Sequence, residues 1–174
     1  PYAATKVAQE AVALEAWRSD GVRVVATRSF NHSGPGQNGR FLVPATVRRA
    51  RALSGAAPGA QRVLLMGNQT TVRDFLHVED VVAAYIALAE RGRAGEVYNV
   101  CSGVGRSVGD VARHVLARMG VAAEIASDPA LVRPADVPAL VGSPAKLAAH
   151  TGWAPRRTFD ALLDDVIAAP DAPA

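Results

Sequence analysis

The stretch Gly21-Val22-Arg23-Val24-Val25-Ala26-Thr27-Arg28-Ser29-Phe30-Asn31-His32-Ser33-Gly34-Pro35-Gly36-Gln37-Asn38-Gly39 carries the reading of the fold. Val22 to Thr27 is a short β-branched run suited to a strand buried on both faces, and Asn31 to Gly39 is turn-rich. Upstream, Val7, Ala11, Leu14 and Trp17 recur at helical spacing from Tyr2 to Ser19, and Asp20-Gly21 supplies a stop. Downstream, Phe41 to Leu53 reads as an apolar helix. Helix, strand, turn and helix in that order form one unit of an α/β layer, and the unit recurs. A Gly/Ala/Pro loop leads to a strand at Arg62 to Met66, an extended Thr71 to Val78 and an amphipathic helix at Val81 to Glu90. A strand at Glu96 to Val100 and a helix at Ser107 to Met119 follow. The spacing predicts an α/β architecture with a largely parallel sheet.

From Ala122 the elements shorten. A strand near Ala123 to Ala126 precedes the proline-rich Arg133-Pro134-Ala135-Asp136-Val137-Pro138, and two small helices are predicted at Ala145 to His150 and Phe159 to Ile167. The Ala/Pro-rich tail from Ala168 to Ala174 is predicted to lack fixed structure.

The bulk composition excludes several classes. With 174 residues and 49% hydrophobic content the chain is long enough to bury a core, so disorder is excluded for most of its length. Net charge is +3, but the arginines are scattered and aromatics make up only 5%, so no nucleic-acid partner is expected. There is no signal peptide and no apolar run of membrane length, and the one cysteine, Cys101, cannot pair within the chain. A cytoplasmic location is expected, and the sequon matches at Asn31 and Asn68 are read as accidental. Because Pro1 opens directly on a helix with no preceding strand, the chain is expected to be the later part of a longer protein.

Tyr2 and Lys6 stand at i and i+4, a spacing that puts a phenol and an ammonium on one helix face. A free phenol is a poor acid–base group at neutral pH, and a neighbouring cation favours its ionised form. The same ammonium suits a cofactor's ribose hydroxyls. On an Ala-rich helix the pair alone reads as a solvated surface pair; the segments that follow give it weight.

Open α/β sheets bind ligands beyond the carboxyl ends of their strands, where Asn31 to Gly39 falls. Arg73 sits between apolar residues and Arg133 is bracketed by proline, so two arginines from separate segments are candidates to clamp a nucleoside diphosphate. A salt bridge from Arg73 to Asp74 or Asp80 is the structural alternative. Ser102-Gly103-Val104-Gly105 lacks the third glycine of a dinucleotide loop, and Ser107 to Asp110 is a capping box, so a phosphate-loop reading is rejected. Cys101, His77, His114 and His150 lack metal-ligand spacing.

These segments in this order resemble the C-terminal part of an extended short-chain dehydrogenase/reductase of the NAD-dependent epimerase/dehydratase family. The residues that carry the resemblance are Tyr2-x-x-x-Lys6, Arg28-Ser29-Phe30-Asn31-His32, Val72-Arg73-Asp74-Phe75, Val78-Glu79-Asp80-Val81, Val97-Tyr98-Asn99-Val100, Arg133 to Pro138 and Thr151-Gly152-Trp153-x-Pro155. Within the family, Phe30-Asn31-His32-Ser33-Gly34-Pro35-Gly36-Gln37 is most similar to the GDP-4-keto-6-deoxy-D-mannose reductase branch. The related GDP-mannose 4,6-dehydratases usually carry Glu-Ser-Pro-Arg after the Asn-His pair, and this chain does not.

The resemblance implies the C-terminal portion of a Rossmann-type doubly wound parallel sheet with a small α/β substrate-binding subdomain. Residues 1–30 would close the dinucleotide-binding domain, residues 31–168 would form the substrate region interleaved with remaining Rossmann elements, and residues 169–174 a flexible tail. Tyr2 would be the catalytic acid and Lys6 its activator and ribose ligand. Asn31 would touch the sugar or pyrophosphate, and the backbone near Phe30 and His32 would border the nicotinamide of NADP or NAD. Arg73 and Arg133 would hold the pyrophosphate, Asp136 the nucleotide ribose, and Phe41 to Pro44 the base pocket. The implied activity is reduction of the 4-keto group of a nucleotide-diphosphate sugar, GDP-linked, by a protein that can form a homodimer. A dehydratase or 4-epimerase and a non-catalytic nucleotide-sugar sensor or scaffold are the alternatives. The Gly-rich loop and the third catalytic residue are expected in a missing N-terminal half, so the chain alone is expected to be inactive.

Overall fold

The computed structural model describes residues 1–57, 60–132 and 136–171. An Ala-rich helix, α1 (Tyr2–Asp20), ends at Gly21, whose φ of 68° is a left-handed C-cap. It leads into β1 (Ala26–Ser29) and β2 (Asn31–Ser33), then α2 (Leu42–Ser54), β3 (Val63–Met66), β4 (Val72–His77) and α3 (Val78–Arg91). β5 (Val97–Val100), β6 (Gly105–Ser107), α4 (Val108–Met119), β7 (Glu124–Ser127) and a single turn at Pro129–Leu131 follow. β8 (Ala139–Leu140), α5 (Ala145–Thr151) and α6 (Phe159–Ala168) complete the order.

The pairing is largely parallel: β1 with β5, β2 with β4, β3 with β7 and β4 with β8. β6 runs antiparallel to β4, with Arg73 directly opposite Arg106. Because β6 and β8 both pair with Val72 and Arg73, they flank the first half of β4 on opposite edges. β4 separates two cores through its period-two alternation. Phe75 joins Val43, Val47, Leu64, Met66, Val115, Phe159 and Leu163 beneath α2, α4 and α6, whereas Leu76 joins Val81, Leu88, Tyr98, Leu147 and Trp153 beneath α3 and α5.

Two buried aspartates hold the loops around these cores. Asp74 is fully buried; one carboxylate oxygen accepts from Ser102 N at 2.8 Å and Ser102 Oγ at 2.7 Å, the other from Gly103 N at 2.9 Å and Gly142 N at 3.4 Å. Asp80 at the start of α3 accepts from the amides of Arg156 and Arg157 at 3.0 and 2.9 Å. His77 caps the same helix by accepting from Glu79 N at 3.1 Å, which leaves its Nε2 to donate to Asp165 on α6 at 3.1 Å.

Several expectations need correction. The strand expected at Val22 to Thr27, buried on both faces, forms instead at Ala26–Ser29, and Thr27, Arg28 and Ser29 are exposed. No α1 residue is fully buried. Its partly covered positions are Glu10, Ala13, Leu14 and Ala16, with Trp17 at the margin, so the stripe facing β1 is turned away from Val7 and Ala11. Asn31 to Ser33, read as loop, pairs with Phe75 to His77. The start of the expected tail is also held: Arg51 bonds Ile167 O and Ala169 O at 2.7 Å each and pairs with Asp171, while Ala172, Pro173 and Ala174 lie outside the described residues.

Two outcomes follow for stability. Replacing Asp74 by Ala strands three backbone donors and one hydroxyl, and chemical denaturation should show a loss of about 3 kcal/mol or more. At the α4 capping box, the Ser107 hydroxyl and then the Arg113 guanidinium hold Asp110 down at about 2, below its ordinary 3.8. A carboxylate with a lowered folded value stabilises fully above its unfolded value and loses that contribution as pH falls toward the folded one. The urea midpoint should therefore fall more steeply between pH 5 and about 2 in the wild type than in Asp110→Asn.

Candidate active site

α1 lies antiparallel to β1. Near its C-terminus Trp17 packs on Gly95, whose amide bonds Val24 O at 2.8 Å; Gly95 has φ 79° and no room for a Cβ beneath the indole. About two turns earlier, Glu10 takes two bonds from Arg28 at 2.7 and 2.8 Å, and those bonds hold the Glu10 carboxyl below its usual range. The helix direction relative to the strand is thereby fixed at two points.

Tyr2, Lys6 and Glu10 follow one another at i+4 on the stripe turned toward β1. Lys6 lies about 6 Å further along the axis than Glu10 and Tyr2 about 12 Å. At about 3.3 Å per strand residue, those levels lie beyond Arg28 at roughly Phe30 and Asn31 to His32. The Tyr2 ring is 75% exposed, with Lys6 Nζ 5.6 Å from its centroid. The ammonium also donates to Gln9 Oε1 at 3.3 Å. A hydroxyl free to meet a ligand and an ammonium with donors to spare fit the ribose and carbonyl oxygens that a nicotinamide site presents.

Phe30 is the crossover between the β1–β5 pair and the β4 sheet. Its amide bonds Val100 O at 3.0 Å, and its carbonyl meets His32 Nδ1 at 3.1 Å. A Cβ on Gly142 would lie 2.6 Å from Cys101 Sγ and 2.7 Å from the Phe30 ring, so Phe30, Cys101 and the segment after β8 are packed together. Burial, then the charge of Asp74, pushes the Cys101 thiol up to about 11, opposed by the Gly103 amide.

Asn31 is opposite Phe75 and therefore on the same face of the β4 sheet as Arg73. The structure brings these two together. Arg73 pairs with neither Asp74 nor Asp80: its guanidinium bonds Val72 O at 2.7 Å, Val137 O at 2.8 Å and the Asp136 carboxylate. Alternation sends Asp74 to the opposite face, and Asp80 is occupied by the loop before α6. Asp136 also receives the Thr71 hydroxyl at 3.3 Å, so Arg73 and Asp136, expected to act separately, form one unit. Arg133 lies outside the described residues.

Pro44 lines a small cavity with Gly34, Gly36, Gln37, Gly39 and Arg48, while Phe41 is 57% exposed. The Ser102 and Gly103 amides that a phosphate loop would offer are taken by Asp74, in keeping with the rejected loop reading. Among the described residues no group of His, Cys, Asp and Glu is placed to hold a metal, and no helix is long and apolar enough to cross a membrane.

Sequence reasoning missed two residues here. Asp74 was detectable as a carboxylate in line with Val72 and Leu76, the apolar residues two positions away on the same face of its strand. Arg106 was passed over beside the capping box; only the strand register places it opposite Arg73, with its Cζ 4.2 Å from the Phe159 ring centroid.

A parallel α/β layer with a Tyr-x-x-x-Lys helix laid toward the carboxyl end of a strand is the arrangement of the short-chain dehydrogenase/reductases. The family model described as GDP-mannose 4,6 dehydratase matches residues 1–166, and the chain belongs to that family, within the NAD-dependent epimerases and dehydratases. It is 38% identical to the GDP-6-deoxy-D-mannose reductase of Pseudomonas aeruginosa over 96% of this chain and 54% of that protein. Of solved structures, RMD from Pseudomonas aeruginosa complexed with NADPH superposes with a TM-score of 0.85 at 36% identity, covering 96% of this chain and 55% of that one. The dTDP-glucose 4,6-dehydratase of Bacillus anthracis in complex with NAD superposes at 0.82 and 27% identity, covering 95% and 50%. The chain thus spans about half the length of the proteins it matches.

With a thiol value near 11, roughly one molecule in a thousand carries a Cys101 thiolate at pH 8. Iodoacetamide should therefore leave native protein unmodified over hours by mass spectrometry and label it rapidly in urea. In Gly142→Ala, whose methyl presses on Sγ and the Phe30 ring, native labelling should accelerate.

Proposed function

We propose that the protein carrying this chain reduces the 4-keto group of a GDP-linked 6-deoxyhexose with NADPH or NADH. The observation that carries this reading is the Glu10–Arg28 bond, which fixes α1 on β1 and from which the helix rise projects Tyr2 and Lys6 to about the level of Phe30 to His32. The identity to a GDP-6-deoxy-D-mannose reductase and the likeness to an NADPH complex support the substrate class and the cofactor.

The bound dinucleotide supplies a hydride to the carbonyl carbon. Tyr2 donates its hydroxyl proton to the oxygen as negative charge develops there, so the ketone becomes a secondary alcohol. Lys6, beside the ring, favours the negative charge left on the phenolic oxygen and offers its remaining donors to the nicotinamide ribose. The backbone of Phe30 and His32 borders the nicotinamide, and Asn31 donates to the sugar or pyrophosphate. Arg73 grips the pyrophosphate through the donors that Asp136 and the two carbonyls leave free, with Arg133 as its counterpart. Asp136 orients Arg73 and keeps lone pairs for the nucleotide ribose.

One buried thiol and no disulfide suit the cytoplasm. The exposed surface of α1, with Val7 at 70% and Val12 at 71%, suits a homodimer formed through paired helices.

A dehydratase is the second reading, favoured by the likeness to dTDP-glucose 4,6-dehydratase. Incubation with the 4-keto sugar separates the two. A reductase consumes one NADPH per sugar, followed at 340 nm, and a dehydratase or epimerase consumes none. In the reductase, Tyr2→Phe should lower turnover by about 10²–10⁴-fold with nucleotide-sugar binding nearly intact. Full activity in Tyr2→Phe refutes the assignment.

A further inference from the structure

Arg73 and Arg106 are paired across the antiparallel β4–β6 ladder, which puts their side chains on the same sheet face. Like charges in that relation repel. Asp136 offsets the Arg73 charge, and among the described residues no carboxylate or carbonyl bonds the Arg106 guanidinium. What holds it is the Phe159 ring, 4.2 Å from Cζ. Stacking on an aromatic face fixes the plane of a guanidinium and leaves its in-plane N–H donors free. Phe159 is itself fixed, 8% exposed and packed on Phe75 at 6.0 Å and His114 at 5.7 Å between centroids. A half-buried, oriented, unneutralised guanidinium therefore stands beside the Arg73–Asp136 unit and on the face that carries Asn31.

We propose that Arg106 is a phosphate-binding residue of the nucleotide-diphosphate-sugar site, supplying the uncompensated positive charge there while Arg73 is partly committed to fastening Asp136 and Val137. The proposal rests on the nucleotide-sugar reading above and names a contact that neither the motifs nor the resemblance assigns. A dianionic pyrophosphate relieves the repulsion between the two arginines, so the pair is most stable with ligand present.

The test is calorimetric titration of the whole protein with GDP, and with NADPH as control. Arg106→Leu keeps an apolar side chain on Phe159 and removes the charge. It should weaken GDP at least tenfold, flatten the slope of log Kd against log salt, and leave the NADPH Kd within twofold. Arg106→Lys should recover part of the affinity and the salt slope. If wild type binds GDP and Arg106→Leu binds it equally, or more weakly with an unchanged salt slope, Arg106 is a packing residue and this proposal falls while the nucleotide-sugar reading stands. Should wild type bind neither GDP nor any other nucleoside diphosphate, both fall. If Arg106→Leu does not fold, the salt slope of Arg106→Lys against that of Arg106→Gln decides, equal slopes overturning the proposal.

Discussion

A carboxylate with no access to water sets the terms for the centre of this molecule. Asp74 lies in the middle of β4, and burying its charge is tolerable only if donors surround it. The chain provides them from two distant segments, the turn at Ser102 and Gly103 and the segment after β8 at Gly142. Those bonds draw β6 and β8 onto opposite edges of β4, and the strand's alternation turns Arg73 toward the other face. The arginine that fastens Asp136 and the aspartate that gathers the turn at Ser102 and the segment at Gly142 are thus consecutive residues with opposite directions. Neither orientation is available without the other.

The second constraint is weaker and more exposed. α1 touches the remainder of the described chain through a few contacts, chiefly the Glu10–Arg28 pair and Trp17 over Gly95. Surface ion pairs contribute little to stability, but two contacts along an axis are enough to fix direction and level. The helix therefore presents Tyr2 and Lys6 near the carboxyl end of β1. There the chain leaves the β1–β5 pair at Phe30 and enters the β4 sheet at Asn31, so the crossover joins the strand that α1 accompanies to the sheet whose face carries Arg73 and Arg106.

Much of this was legible in the residues. β-branched runs and helical periodicities located five strands and every helix to within a few positions, and the Ser107–Asp110 capping box stands as read. The strands not expected from the residues, β2, β6 and β8, are two or three residues long and contain no β-branched or aromatic side chain, so they lack intrinsic β preference. They exist because β4 offers unpaired edges. Arg73 was found as a charge among apolar residues, but its partner was sought nearby in sequence. The true partner, Asp136, is more than sixty residues away.

Local pattern determined the α/β class, the caps and the identity of the groups with acid–base or anion-binding chemistry, because periodicity and side-chain type are properties of neighbouring residues. Tertiary pairing decided the remainder: the stripe of α1 that faces β1, the union of Arg73 with Asp136, and the presence of Arg106 across from Arg73. Each of these depends on the register between segments far apart in the chain, and a one-residue slip would send every one of those side chains to the opposite face.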